Sequence, residues 1–86
     1  MQEEIIAQYI CKLISEQSDH MNNVDITYTA DLFLNNWLDS FSAISLIALL
    51  EEEYNFTFAP TQLQSPRMRT VEGIASIIAS IITSRP

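Results

Sequence analysis

One cysteine, one glycine, one tryptophan and one histidine are all that this chain of 86 residues holds of those types, and only four residues are cationic. A lone Cys11 cannot close an internal disulfide or supply the thiolates of a structural zinc site, so no metal centre is expected. A lone His20 would have to serve any Ser-His-Asp triad. It lies in a polar stretch with Asp19 and Asn22, where a solvated surface histidine is the expected role. One glycine and three prolines leave no room for a long flexible linker. No internal repeat is visible, and residues 1–86 are expected to form a single domain.

The scarcity of positive charge restricts the partners. Lys12, Arg67, Arg69 and Arg85 stand against eleven acids, for a net charge of −7. So few cations cannot neutralise a run of phosphates, which argues against nucleic acid, and an anionic membrane surface is disfavoured for the same reason. Basic patches on other proteins would instead be drawn in. No apolar run is long enough to span a bilayer. The start, Met1-Gln2-Glu3-Glu4, is the opposite of a basic signal-peptide region, so a soluble, cytoplasmic protein is expected.

What is abundant is apolar sequence at helical spacing. Hydrophobic residues make up 48% of the chain and charged residues 17%, which suits one small folded core rather than a disordered tail. Residues 2–17 carry Ile6, Tyr9, Ile10, Leu13 and Ile14 on one face, widened by Ile5, and predict an amphipathic helix. A stretch rich in Asp, Asn and Thr follows to Leu38, with Leu32 and Phe33 as expected anchors to the core. Residues 40–54 predict a second helix, with Leu46, Leu49, Leu50 and Tyr54 inward, Ile47 beside them, and Glu51, Glu52 and Glu53 at a water-facing end.

Phe56 and Phe58 precede a short helical turn around Thr61–Ser65, between Pro60 and Pro66. Thr70 is expected to cap a last helix over 71–83, whose apolar stripe is Val71, Ile74, Ala75, Ile78, Ile81 and Ile82. The architecture is all-α: three main helices and one short one around a single core. Cys11, on an amphipathic helix beside only Lys12, reads as a structural thiol. Glu51–Glu53 point in successive directions and read as a solvated face, not a metal site. Met21 and Met68 carry no legible signal.

Asp39 and Ser40 open the second helix. The Asp39 carboxylate is suited to cap the free amides of the first turn. Ser40 sits where a helix N-terminus exposes amide donors and partial positive charge, so a phosphodiester formed on its hydroxyl would be stabilised there. Position alone favours an ordinary first-turn serine, a residue common at helix starts.

The wider pattern is more specific. Asp31-Leu32-Phe33, Leu38-Asp39-Ser40-Phe41, then Leu46, Leu49, Leu50-Glu51 and Tyr54-Asn55-Phe56 resemble the acyl carrier and peptidyl carrier protein family. So does Arg69-Thr70-Val71-Glu72-Gly73-Ile74, and the likeness runs from about Glu3 to Ile82. It implies a four-helix carrier fold with Ser40 esterified by 4′-phosphopantetheine, whose thiol holds cargo as a thioester. Such a protein is not an enzyme. Its implied partners are a phosphopantetheinyl transferase, an adenylating enzyme or acyltransferase, and a downstream condensation or transferase enzyme, which it serves as a monomer.

Two departures bear on subtype. Where the family often has a glycine before the Asp-Ser pair, this chain has Asn35-Asn36-Trp37, and Asn36 is able to take the same left-handed turn. Where fatty-acid carriers bear acids soon after the serine, it has Ser42 and Ser45. The pattern looks closer to free-standing carriers of amino acids, such as discrete peptidyl carriers of nonribosomal-peptide pathways. D-alanyl carriers and fatty-acid or polyketide acyl carriers stand as alternatives, and an unmodified helical interaction module as an alternative of another class.

Phe41, Ile44 and Ala48 lie on the side of the second helix away from Leu46 and Leu50, and form a candidate docking patch. Burial of Phe41 and Ile44 under the preceding loop is the competing placement, and Trp37 fits either the patch or the loop. Arg67 and Arg69 are expected as solvated charges, with proximity to the arm's phosphate as the alternative.

Overall fold

The computed structural model describes residues 2–17 and 26–84; His20 and Met21 lie outside these residues. Four helices are present among them: α1 (Gln2–Gln17), α2 (Ser40–Tyr54), α3 (Pro60–Leu63) and α4 (Val71–Thr83). A 3-10 turn, Pro66–Arg69, joins α3 to α4. The all-α architecture of three long helices and one short one matches the sequence expectation, and the 3-10 turn is additional to it.

The core is made by the apolar stripes of the three long helices. α1 contributes Ile6, Ala7, Ile10, Leu13 and Ile14, and it packs chiefly on α4 and more lightly on α2. α4 contributes Val71, Ile74, Ala75, Ile77 and Ile78, with Ile81 and Ile82 partly buried at its end. Leu46 and Leu50 are the fully buried residues of α2. Tyr54 packs at the margin, edge-on to Tyr9 with ring centroids 6.0 Å apart.

Two residues expected inward are not. Ile5 is 64% exposed and Ala7 takes the other flank of the α1 stripe. Leu49 is 40% exposed, because the α2 stripe is centred on Ala43, Leu46, Leu50 and Tyr54. At roughly 100° per residue, Leu49 then falls on the flank opposite Ile47. Both errors arise because periodicity gives a stripe's direction less sharply than its existence.

The helix ends are set by local hydrogen bonds. Asn55 closes α2 in the left-handed region at φ 54°, where asparagine is tolerated, and its amide and that of Phe56 return to the Glu51 carbonyl. The Glu51 side chain is not merely solvated: its Oε2 accepts from the Phe58 amide at 2.9 Å and so draws the next segment onto the helix. Glu53 accepts from the Tyr9 hydroxyl at 3.4 Å. Phe58 is buried against Phe56, with centroids 4.7 Å apart. α3 begins at Pro60, one residue before the expected turn, because proline suits the first helical position.

Thr70 caps α4 as expected, its Oγ1 accepting from the Gly73 amide at 2.9 Å. Met68, silent in the sequence, is a core residue delivered by the 3-10 turn. That turn lies directly on α4. A Cβ at Gly73 would overlap the Arg67 carbonyl, so only glycine admits the approach. Gly73→Ala is therefore expected to destabilise the fold by about 1–3 kcal/mol through overpacking. That outcome runs against helix propensity, which favours Ala by about 1 kcal/mol. Urea titration followed by circular dichroism measures the sign.

Candidate functional site

The segment leading into α2 is built around Asp31 and Leu32. Asp31 Oδ1 accepts from the Phe33 and Leu34 amides at 2.9 and 3.0 Å, which closes a tight turn. Its carbonyl takes the Asn35 side-chain amide at 2.7 Å. Asn36 then adopts φ 59°, the left-handed conformation anticipated for it. Leu32 is fully buried, and its backbone is paired on both sides. Its N–H donates to the Arg69 carbonyl at 2.7 Å, and its own carbonyl accepts from Trp37 and Leu38 at 2.9 and 3.1 Å. Leu38 is buried in turn, so the chain enters α2 on a fixed line.

Asp39 takes the N-cap position in extended conformation, φ −119° and ψ −176°. Its Oδ1 accepts from the Ser42 amide at 2.8 Å, while Ser42 Oγ accepts from the Asp39 amide at 2.9 Å. This reciprocal box satisfies two backbone donors at once. Hydrogen bonds from the Ser42 amide and hydroxyl hold the Asp39 carboxyl below the usual aspartate range. The Ser42 hydroxyl is thereby occupied. Ser40, the first residue of α2, is exposed, and its hydroxyl makes no hydrogen bond to the described residues. Its hydroxyl is therefore open to the surroundings at the start of the helix.

Phe41 is 80% exposed and Ile44 69% exposed, and Ala48 is exposed beside them. They do not pack under the loop. Trp37 differs: it is half-buried against the core and anchors the loop. The first turn of α2 carries no acid. On the inward side of the same helix, Ala43 and Ile47 line an apolar cleft of about 460 Å³. Leu38, Leu63, Pro66 and Met68 form its other walls, with Arg69 among its polar residues.

Arg69 is not a free solvated charge. Its Nε donates to Asp31 Oδ2 at 2.6 Å, and its guanidinium lies 5.0 Å from the centroid of the Phe33 ring. The Arg69 hydrogen bond, with the Leu34 and Phe33 amides, holds the Asp31 carboxyl below its ordinary value. Arg67 donates to the Ser76 hydroxyl and is likewise engaged. These roles were not legible from spacing: Asp31 and Arg69 are 38 residues apart. The Asp39 cap was anticipated, but Ser42 as its reciprocal partner was not, since Glu or Gln is the usual residue at that place in a capping box.

Cys11 is half-buried, and burial pushes its thiol above the ordinary value, away from thiolate reactivity. Among the described residues no polar or charged side chain is buried, and no three His, Cys, Asp or Glu groups come together to hold a metal. No helix among them is long and apolar enough to cross a membrane.

The family model for the phosphopantetheine attachment site matches residues 8–78. The chain belongs to this family of carrier domains, which bear a covalently attached 4′-phosphopantetheine and are carriers rather than enzymes. Domains of the family are served by phosphopantetheinyl transferases and work with biosynthetic enzymes. No curated protein and no solved structure shows significant similarity to the chain.

Both aspartates of the site have depressed folded-state pKa values, so they stabilise the fold at and above the ordinary value of about 3.9. That contribution disappears as pH falls through the folded value. Asp39→Asn should lower the melting temperature at neutral pH, and the gap to the parent protein should narrow on acidification below about pH 4. Thermal melts at a series of pH values read this directly.

Proposed function

We propose that Ser40 is the residue esterified by 4′-phosphopantetheine, and that the protein is a free-standing, monomeric, cytoplasmic carrier of aminoacyl or peptidyl thioesters. The observation that carries the site assignment is the exposed, unbonded Ser40 hydroxyl at the first residue of α2, one position after a capped Asp39. A phosphodiester formed there meets the positive end of the helix. The arm's thiol then takes cargo from an adenylating enzyme and presents it to a condensation or transferase enzyme at high local concentration. Partners dock on Phe41, Ile44 and Ala48, with Trp37 set back at the margin.

The aminoacyl reading is supported by the acid-free first turn of α2, where Ser42 stands, with Ser45 in the turn after it. The pathway proposed is of the nonribosomal-peptide type. A specific observation favours a second reading, an acyl carrier: the cleft of about 460 Å³ that begins one helical turn beyond Ser40 is apolar enough to shelter a hydrocarbon chain.

Incubation with coenzyme A and a broad-specificity phosphopantetheinyl transferase, read by intact-protein mass spectrometry, tests the site. One arm should be added to the parent chain and none to Ser40→Ala, which keeps the fold because Ala is a good helix residue. Addition to Ser40→Ala would refute the assignment, and no addition to the parent chain would favour an unmodified interaction module.

Ile44→Glu tests the docking face. It should slow loading by the partner several-fold, on the order of a single interface contact. Its melting temperature should stay unchanged, because Ile44 is already in water. A large fall in melting temperature would place Ile44 in the core instead.

A further inference from the structure

We infer that Asp31 and Arg69 form a clasp that positions Ser40 for modification and delivery, an inference that rests on Ser40 being the attachment site. The observations form a continuous series of contacts. Arg69 Nε donates to Asp31 Oδ2 at 2.6 Å, its guanidinium covers the Phe33 ring, and its carbonyl accepts from the Leu32 amide at 2.7 Å. One residue thus grips the loop by side chain and backbone together. The other carboxylate oxygen of Asp31 binds the Phe33 and Leu34 amides, which shapes the turn. Leu32 then fixes Trp37 and Leu38 through its carbonyl, and Leu38 leads directly into Asp39 and Ser40.

The pair is partly exposed, with side chains 46% and 23% accessible. An exposed ion pair adds little to global stability. Its effect is local: it holds the loop in the form that presents the serine, so that a transferase need not order that loop on binding. Arg69 also stands at the cleft, which links the same clasp to the wall facing α2. Arg69 and Asp31 are positioning residues, acting through the loop.

The test compares the parent chain with Asp31→Asn, Arg69→Gln, the double variant and Arg69→Lys, well below their melting temperatures. Initial rates of arm transfer from coenzyme A are measured, together with amide hydrogen exchange on the unmodified proteins. Each single variant should lose about tenfold in kcat/KM through misplacement of the hydroxyl. The double variant should lose no more than either, because one interaction is removed in all three. Arg69→Lys should recover part of the loss. Exchange at Leu34, Trp37 and Leu38 should quicken, while Ile10 and Ile78 in the core stay protected.

Asp31→Asn retains an oxygen for the Phe33 and Leu34 amides, so it breaks the ion pair without removing the turn. Unchanged kcat/KM or unchanged loop exchange in that variant overturns the clasp, as do additive losses in the double variant. Loss of its helical signal would also overturn it, by making the pair a support of the whole fold. The arm should still map to Ser40 in every variant. Failure of the parent chain to accept an arm would sink the Ser40 reading, while the exchange data judge the clasp separately.

Discussion

The backbone of Leu32 ties the loop before α2 to the turn before α4. Its side chain is fully buried, its N–H reaches the Arg69 carbonyl, and its carbonyl takes the amides of Trp37 and Leu38. Buried backbone groups must be paired, and a loop this far from regular structure has few ways to do it. Here one residue brings the loop to the core and satisfies its own polar groups with partners that are themselves fixed. The Arg69 carbonyl is available because the Pro66–Arg69 turn lies flat on α4, and it lies flat because Gly73 lacks a side chain. The position of Ser40 therefore depends on a glycine 33 residues further along, through a series of backbone contacts rather than through the packing of α2 alone.

That dependence explains what was legible in the amino-acid sequence. The three long helices were, because apolar spacing repeats several times within each, and the Thr70 and Asp39 caps were, because capping is a short-range relation. The left-handed Asn36 could be anticipated from its residue type and place in the loop. Ile5 and Leu49 were misplaced because each sits at the edge of an apolar stripe whose centre is decided by the neighbouring helix. Met68 and the 3-10 turn were invisible because a four-residue element with one buried side chain has no period to detect. The contact of Arg69 with Asp31 is a product of topology, and no local rule reports it.

The site's electrostatics suit a carrier. General acids and bases need carboxyl groups raised toward neutral pH, usually by burial. Asp31 and Asp39 are shifted the other way, by donors that stabilise their charged forms, and neither is buried. Each spends its charge on organising backbone: Asp39 on the first turn of α2, Asp31 on the loop before it. Both carboxylates serve here as structural anions. Membership of a family of carriers, which work with biosynthetic enzymes, is compatible with that use of charge.

With Ser40 as the attachment point, the geometry of α2 assigns its two sides different tasks. At roughly 100° per residue, Ser40 falls between the outward Ile44 and the row of Ala43 and Ile47 that lines the cleft. An arm leaving Ser40 can therefore turn outward along the exposed apolar face or inward toward the cleft without crossing the helix. Cargo with a hydrocarbon chain gains by turning inward, since each methylene removed from water contributes about 0.8 kcal/mol. A polar aminoacyl group gains little there and stays outside, beside the exposed Phe41 and Ile44. The chemistry of the cargo, more than any change in the protein, then decides how much of the time the thioester is available. The same fold would hold an apolar intermediate back and offer a polar one freely.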